Sequence, residues 1–234
     1  MNDGAPSLES RVRFRILLIT DRKLAAARGI VEVCESALAG ARQLPAGSVA
    51  VQLREKDLGG RDLCELANRL APICRRRGVP LLINGRIDIA MAAGADGVHL
   101  PADSFSPAQA RKLLGPSPII GASTHSSSEI IRAHQQGADF AVFGPVFAPN
   151  SKGLFGASQG VDRLRKACRA APIPVYAIGG INAERAREVI SCAAGVALIG
   201  AVIGASDPGR ALRELIAATA PAAKGKDRAG VQPA

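Results

Sequence analysis

Eight short apolar segments alternate with helical segments along the chain, and this alternation restricts the fold more than any other feature. The apolar segments span residues 15–20, 49–54, 80–85, 97–101, 118–124, 140–145, 174–179 and 195–200. They are apolar throughout rather than at every second residue, which is typical of parallel strands buried on both faces. The intervening segments are amphipathic, as in 60–76, where Leu63, Leu66 and Leu70 share one stripe. Eight such units predict an α/β fold, a single (β/α)₈ TIM barrel.

The length of 234 residues agrees with one barrel domain, which usually takes about 250 residues. We expect the barrel over residues 15–220, after a flexible N-terminal segment (1–14) and before a disordered tail (221–234) rich in Ala, Gly, Lys and Pro. A doubly wound open sheet is the alternative. It would need a glycine-rich loop after the first strand, where the chain has Thr20-Asp21-Arg22-Lys23.

The formal net charge of +10 raises the question of nucleic-acid binding. Aromatic residues make up only 3% of the chain, so few side chains are available to stack on bases, and the basic residues are spread over predicted helix faces. We therefore expect a surface that favours anionic metabolites, with no nucleic-acid partner. No stretch is apolar and long enough for a membrane span, and the five cysteines lack metal-ligand spacing. These features predict a cytoplasmic protein and are compatible with a homo-oligomer.

Glycines follow the last two predicted strands. Ile178-Gly179-Gly180-Ile181 closes the seventh strand, and Ile199-Gly200-Ala201 closes the eighth. Barrels commonly hold a phosphate at these two ends, through backbone N–H groups that glycine allows a ligand to approach. We predict a phosphate site formed by Gly179, Gly180, Gly200 and Ala201, although glycines also occur in ordinary tight turns.

A polar motif, Gln52-Leu53-Arg54-Glu55-Lys56, ends the second strand. Alternation along a strand directs Gln52 and Arg54 to the same side, into the mouth of the barrel, and Lys56 begins the loop above them. An amide and two cations suit an anionic or heterocyclic substrate. The alternative is that the cations form structural ion pairs with Glu55 or Asp57.

Histidine and lysine residues provide two further candidates. Ser123-Thr124-His125-Ser126 ends the fifth strand, which predicts that Ser123 contacts substrate and that His125 transfers protons, since the usual pKa of histidine is about 6.5. His134 lies among polar residues of a predicted helix and is expected on the surface. The long loop after the sixth strand resembles a substrate lid, in which Lys152 either clamps a phosphate or is solvated.

Taken in order, several segments resemble the thiamine phosphate synthase and TenI superfamily, and together they cover nearly the whole chain outside its two ends. They are Leu18-Ile19-Thr20-Asp21, the Gln52 to Lys56 motif, Asn84-Gly85-Arg86-Ile87-Asp88, Gly94-Ala95-Asp96-Gly97-Val98-His99, Gly137-Ala138-Asp139-Phe140, Phe143-Gly144-Pro145-Val146-Phe147 and Ala177-Ile178-Gly179-Gly180-Ile181. The resemblance implies a thiazole phosphate as ligand and adds Asn84 to the substrate-binding residues.

The superfamily contains two activities. Its synthases join a pyrimidine methyl diphosphate to a thiazole phosphate, with Mg²⁺ bound by one aspartate after the strand-three asparagine and by another after strand four. This chain has Gly85 at the first place, and at the second Asp103 stands one residue out of register. The lid lacks the threonines of the synthase pattern, and Gly200 replaces its strand-eight serine.

The segments Asn84-Gly85-Arg86-Ile87-Asp88-Ile89-Ala90 and Leu100-Pro101-Ala102-Asp103-Ser104-Phe105-Ser106-Pro107 resemble instead the TenI branch of thiazole tautomerases. The histidine used by that branch corresponds to His125, and its reaction requires no metal. The sequence therefore favours a thiazole tautomerase without cofactor. The alternatives are a thiamine phosphate synthase with Mg²⁺ at Asp103, and a non-catalytic regulator that binds phosphates of the thiamine pathway.

Overall fold

Eight parallel strands close into a barrel in the order β1-β2-β3-β4-β5-β6-β7-β8 in the computed structural model, which describes residues 11–40, 48–148 and 158–220. The strands are β1 (Ile16–Ile19), β2 (Val49–Leu53), β3 (Leu81–Asn84), β4 (Gly97–Leu100), β5 (Ile119–Thr124), β6 (Phe140–Phe143), β7 (Val175–Ile178) and β8 (Gly195–Leu198). The predicted (β/α)₈ barrel is thus confirmed. Most strands are one or two residues shorter than the apolar segments that predicted them.

Helices separate successive strands. Within the described residues they are α1 (Arg22–Ala25), α2 (Ile30–Gly40), α3 (Gly60–Arg76), α4 (Ile87–Ala92), α5 (Pro107–Leu114), α6 (Ser127–Gln135), α7 (Gly160–Ala170), α8 (Ala183–Val189), α9 (Gly200–Ile203) and α10 (Pro208–Thr219). The apolar stripe predicted for α3 is buried, including Leu63, Leu66 and Leu70. None of these helices combines the length and the apolar character that crossing a bilayer requires.

Aromatic rings fill the interior of the barrel. The ring of Phe140 lies 5.4 Å from those of Phe14 and Tyr176, and the Tyr176 hydroxyl donates to the carbonyl of Phe14. Glycines make room for these rings, because a Cβ at Gly121 would lie 2.2 Å from the Phe140 ring and one at Gly195 would lie 2.5 Å from that of Tyr176. The interior is therefore packed, as in other barrels of this class.

The N-terminal boundary of the barrel lies earlier than the sequence predicted. Residues 11–14 were assigned to a flexible segment, but Val12 and Phe14 are buried in the same interior cluster as Phe140 and Tyr176. The physical reason is that the Phe14 side chain fills the barrel interior next to the Phe140 ring. Residues 1–10 and 221–234 lie outside the described part of the chain.

Two aspartates tie the amino ends of neighbouring strands together. Asp96, just before β4, accepts a hydrogen bond from the backbone N–H of Leu81 at 2.8 Å. Asp139, just before β6, accepts from the N–H of Ile120 at 2.7 Å and also pairs with Arg111 at 2.8 Å. Both lie at the end of the barrel opposite the predicted site, so the repeated Gly-Ala-Asp motif is structural.

Replacement of Asp139 by alanine is expected to lower the free energy of unfolding by about 1–3 kcal/mol, because the Ile120 N–H and the Arg111 guanidinium lose their shared acceptor. Urea denaturation measures the effect. Asp162 provides the control, since its side chain is 90% exposed and its one ion pair with a described residue is that with Arg165, three residues away. Its replacement should change stability by less than about 0.5 kcal/mol. Equal losses in the two variants would contradict a structural role for Asp139.

Candidate active site at the carboxyl end of the barrel

The amide of Gln52 links three strands beneath the mouth of the barrel. Gln52 is 1% exposed and turns into the barrel from β2, as alternation predicted. Its Nε2 donates to Asn84 Oδ1 on β3 at 2.9 Å and contacts His99 Nδ1 on β4 at 3.1 Å. The structure thus brings Gln52 and Asn84 together and adds His99, to which the sequence analysis gave no role. His99 belongs to a segment that resembles the family, but the resemblance gave this residue no role. Alternation along β4 puts His99 on the same side as Gly97.

The carboxylates next to the strand-two cations are occupied by other partners. Glu55 is buried and accepts from the Thr20 hydroxyl at 2.7 Å and from the Arg22 backbone N–H at 3.0 Å. Asp57 pairs with Arg22 at 2.5 Å and with Lys23 at 3.0 Å. The hydrogen bond from Arg22 is the main reason that the pKa of the Asp57 carboxyl lies well below its usual range, and the hydrogen bond from Lys23 lowers this pKa further.

Arg54 and Lys56 therefore carry charges that the neighbouring carboxylates do not neutralise. Among the described residues neither side chain forms an ion pair, so the alternative of pairing with Glu55 or Asp57 does not describe this geometry. The Arg54 side chain is half-buried and Lys56 is exposed. Arg54 also lies near enough to His99 for its charge to lower the pKa of that ring. The carboxyl end of β2 is consequently positive.

His125 follows β5 and has one ring nitrogen engaged. Nδ1 lies 2.7 Å from the carbonyl oxygen of Gly144. A carbonyl only accepts, so the neutral ring must carry its proton on Nδ1, which leaves Nε2 as a basic nitrogen. The backbone N–H of His125 donates to Glu129 at 2.6 Å, and Gln159 Nε2 also donates to Gly144 O at 3.2 Å. The ring is exposed at the predicted position.

The remaining predicted residues divide into those that the structure describes and those that it does not. Ser123 is half-buried on β5, on the same side as Gly121 and hence inside the barrel. His134 is exposed on α6, as predicted. Lys152 and the rest of the lid from 149 to 157 lie outside the described residues, and its clamp role stays a prediction.

Four backbone amides lie at the ends of β7 and β8, as the predicted phosphate site requires. Gly179 and Gly180 have φ of +103° and +61°, values that favour glycine, and no described residue accepts from their N–H groups. The prediction that Gly200 and Ala201 close β8 is wrong, because β8 ends at Leu198 and the two residues begin α9. The N–H groups of Gly200 and Ala201 can still bind an anion, since the first amides of a helix have no intrahelical acceptor. These four amides are called the glycine cradle below.

A cation that the sequence analysis missed lies beside the glycine cradle. Arg185 in α8 donates to the Gly180 carbonyl at 2.6 Å, and its guanidinium lies 4.8 Å from the centre of the Phe147 ring. It thereby fixes the Gly180 peptide and adds positive charge near an anion site. The sequence signal that could have identified Arg185 is its position in the first turn of the helix after β7.

The residues at the carboxyl end do not fit a magnesium site of the two-carboxylate kind. Gly85, at the first expected position, has φ of +67° and no side chain to offer, and Asp103, in the loop after β4, is exposed. Within the described ranges no group of three or more His, Cys, Asp or Glu residues could hold a metal ion. Burial raises the pKa of the Cys34 and Cys74 thiols to about 12, so these remain protonated core residues.

Comparisons with known proteins identify the family. The family model described as thiamine monophosphate synthase matches residues 16–202. A putative thiamine-phosphate synthase from Geobacter sulfurreducens is 46% identical over 213 residues, which are 91% of this chain and 97% of the relative. A thiamine-phosphate synthase from Chlorobium luteolum is 47% identical over 177 residues, which are 75% of this chain and 84% of the relative.

Solved structures show the same relationship. Thiamine phosphate pyrophosphorylase from Pyrococcus furiosus superposes with a TM-score of 0.78 at 35% identity, covering 89% of this chain and 96% of that chain. A 3-hexulose-6-phosphate synthase superposes with a TM-score of 0.60 at 18% identity, covering 88% and 100% of the two chains, and shares the fold alone.

Proposed function

Because the chain belongs to the thiamine monophosphate synthase family, we propose that it is a thiamine-phosphate synthase, which joins hydroxymethylpyrimidine diphosphate to a thiazole phosphate. The names of its relatives support this reaction better than the thiazole tautomerisation that the sequence favoured. Both reactions bind a thiazole phosphate and differ in the need for a second phosphorylated substrate.

The single observation that carries the proposal is the uncompensated charge of Arg54 and Lys56. Glu55 and Asp57 are held by Thr20, Arg22 and Lys23, so the two cations are left for an anion from outside the chain. A diphosphate carries several negative charges, and guanidinium and ammonium groups bind phosphate oxygens strongly. One phosphate at the glycine cradle would leave these cations without a partner, whereas a second phosphorylated substrate would pair with them.

The glycine cradle is proposed to hold the phosphate of the thiazole substrate. The amides of Gly179 and Gly180 have no described acceptor, and those of Gly200 and Ala201 begin α9. Such amides bind anions through short hydrogen bonds. Arg185 adds a positive charge beside them. The cradle lies at the ends of β7 and β8, whereas the cations lie at the end of β2, so the two substrates would occupy different parts of one mouth.

In the joining reaction the bond between the pyrimidine methylene carbon and the diphosphate oxygen breaks, and the diphosphate leaves with the electron pair. The thiazole nitrogen bonds to the same carbon. Arg54 and Lys56 stabilise the charge that develops on the departing oxygens, and the Gln52–Asn84 pair holds the pyrimidine ring. Family members use Mg²⁺ for this charge. The described carboxylates of this chain do not form a site for that ion.

One observation favours thiazole tautomerisation as a second candidate. His125 Nδ1 donates to Gly144 O, so Nε2 can remove a proton and return it, and this chemistry needs neither a diphosphate nor a metal. The absence of a carboxylate at Gly85 agrees with it. A non-catalytic regulator is the third candidate, and tight phosphate binding without turnover of either reaction would identify it.

Assays of both reactions with the purified protein, each in the presence of Mg²⁺ and of a chelator, decide among the candidates. The proposal expects thiamine phosphate to form from the two phosphorylated substrates. If the protein aromatises the thiazole carboxylate phosphate with chelator present and makes no thiamine phosphate under either condition, the synthase proposal is wrong and the tautomerase is correct.

Replacing Arg54 by alanine should raise KM for hydroxymethylpyrimidine diphosphate by about 10- to 100-fold, because a hydrogen bond to a charged group is lost. The melting temperature should stay the same, since Arg54 forms no ion pair with a described residue. Arg61 is the control, as its side chain is exposed and, within the described part of the chain, pairs with Glu65 on the same helix alone. A sharp fall in melting temperature with unchanged kinetics would identify Arg54 as a structural residue instead.

A further inference from the structure

Two cysteines contact each other at the end of the barrel opposite the mouth. Cys168 lies in the last turn of α7, and Cys192 lies three residues after α8, just before β8. The Cys168 thiol forms a hydrogen bond with that of Cys192. Cys192 Sγ in turn donates to the carbonyl oxygen of Val189 at 3.3 Å. This chain of hydrogen bonds holds the two sulfur atoms side by side, although β7 and α8 separate them in the sequence.

This pair of thiols is accessible to solvent, whereas a second pair is not. Cys168 and Cys192 are half-buried at the margin of the hydrophobic core, and both are free thiols. Cys34 and Cys74 also lie near each other, but they are 0% and 1% exposed. A small oxidant can therefore reach the first pair in the folded protein, while the fold shields the second pair from it.

We propose that Cys168 and Cys192 are a modification site, at which a low-molecular-weight disulfide such as oxidised glutathione converts the two thiols into a reversible disulfide. The sulfur atoms of a disulfide lie about 2 Å apart. Thiols that are already in hydrogen-bond contact reach this separation by a small movement of their side chains. The new bond joins the end of α7 to the turn before β8.

The exchange proceeds in two steps. Burial is the main cause that raises the pKa of the Cys168 thiol to about 12, so this thiol is protonated near neutral pH and Cys192 starts the reaction. Cys192 loses its proton to solvent and attacks one sulfur of oxidised glutathione, whose S–S bond breaks and releases one reduced glutathione. Cys168 then loses its proton, attacks the sulfur of Cys192 and releases the second. The protein gives up two electrons and two protons, which convert one oxidised glutathione into two thiols.

The disulfide closes a loop that contains β7 and α8. Such a loop restricts the unfolded chain more than the folded chain, and a disulfide usually stabilises the folded state for this reason. The melting temperature of the oxidised protein should therefore exceed that of the reduced protein by about 5–15 °C. Because the pair lies away from the mouth, the inference does not depend on the proposed synthase function.

The test incubates the folded, reduced protein with oxidised glutathione and then counts its free thiols in denaturant. The count should fall by two, and a proteolytic digest should contain one product in which the peptide of Cys168 is joined to that of Cys192. Cys34 and Cys74 should remain thiols. Treatment with dithiothreitol should restore the original thiol count and melting temperature. Peptide mapping uses the wild-type protein, so the test does not depend on the folding of any variant.

Serine variants identify the thiols independently. Cys168→Ser and Cys192→Ser should form no cross-link and show no rise in melting temperature. Cys64→Ser is the matched control and should behave as the wild-type protein, because Cys64 is half-buried on α3 and its Sγ accepts from Asn68 Nδ2 at 3.8 Å. The inference is overturned if Cys168 and Cys192 of the wild-type protein stay as thiols or carry separate glutathione adducts, or if a different pair of cysteines is joined.

Discussion

If the protein has the second candidate activity, thiazole tautomerisation, replacing His125 by alanine is expected to lower its rate by about 10²- to 10⁴-fold, the usual contribution of a general acid–base group. The fixed hydrogen bond from Nδ1 to Gly144 O leaves only Nε2 to exchange the proton, and alanine supplies no substitute. The affinity for thiazole phosphate should not change, because the glycine cradle follows β7 and β8, whereas His125 follows β5. Turnover and Kd are measured separately on the same preparation.

His134→Ala is the matched control, since His134 is exposed in the last turn of α6, at the end of this helix away from His125. The histidine has no role in tautomerisation if His125→Ala retains the wild-type rate. A rate that falls together with phosphate affinity would mean that the variant distorts the mouth.

Replacing Gly180 by valine should weaken the binding of thiazole phosphate by about 10- to 100-fold, since the hydrogen bond from its N–H to a charged group would be lost. Valine is disfavoured at φ of +61°, and its Cβ would lie 2.8 Å from both the Ala148 carbonyl oxygen and the Arg185 guanidinium. The peptide must therefore shift, and its N–H can no longer point at the ligand. Calorimetric titration with thiazole phosphate measures the loss.

Gly94→Val separates lost binding from backbone strain. Gly94 has φ of +58°, nearly the same as Gly180, and a Cβ there would meet nothing within 4 Å. It precedes β4 at the opposite end of the barrel. The control should lose stability but keep its phosphate affinity, and wild-type affinity in Gly180→Val would exclude the glycine cradle as the phosphate site.

The sequence was sufficient to predict the barrel and part of its mouth. Apolar strands that alternate with amphipathic helices have few solutions, so the strand order followed directly. Alternation along β2 placed Gln52 inside the barrel, because residue spacing fixes direction within a strand. The hydrogen bonds and ion pairs of Glu55 and Asp57 could not be predicted. Their partners Thr20 and Arg22 belong to the segment that follows β1, which is distant in the sequence.

Other features depended on tertiary contacts that no local pattern encodes. Gly200 begins a helix rather than ending a strand, and glycine is compatible with both. Val12 and Phe14 form no strand, and they are buried because they pack against Phe140 and Tyr176, which lie far away in the sequence. The contact between His99 and the Gln52 amide could not be predicted either, because the two residues lie on different strands.

The aromatic floor formed by Phe14, Phe140 and Tyr176 has a kinetic consequence. The packed rings close the barrel interior, so under the proposed synthase function both substrates would enter, and the product would leave, through the carboxyl end. If the pyrimidine binds at the buried Gln52 amide and the thiazole phosphate at the glycine cradle, the pyrimidine lies deeper in the barrel. The deeper substrate would then have to bind first, and the joined product would have to leave before the next pyrimidine could enter.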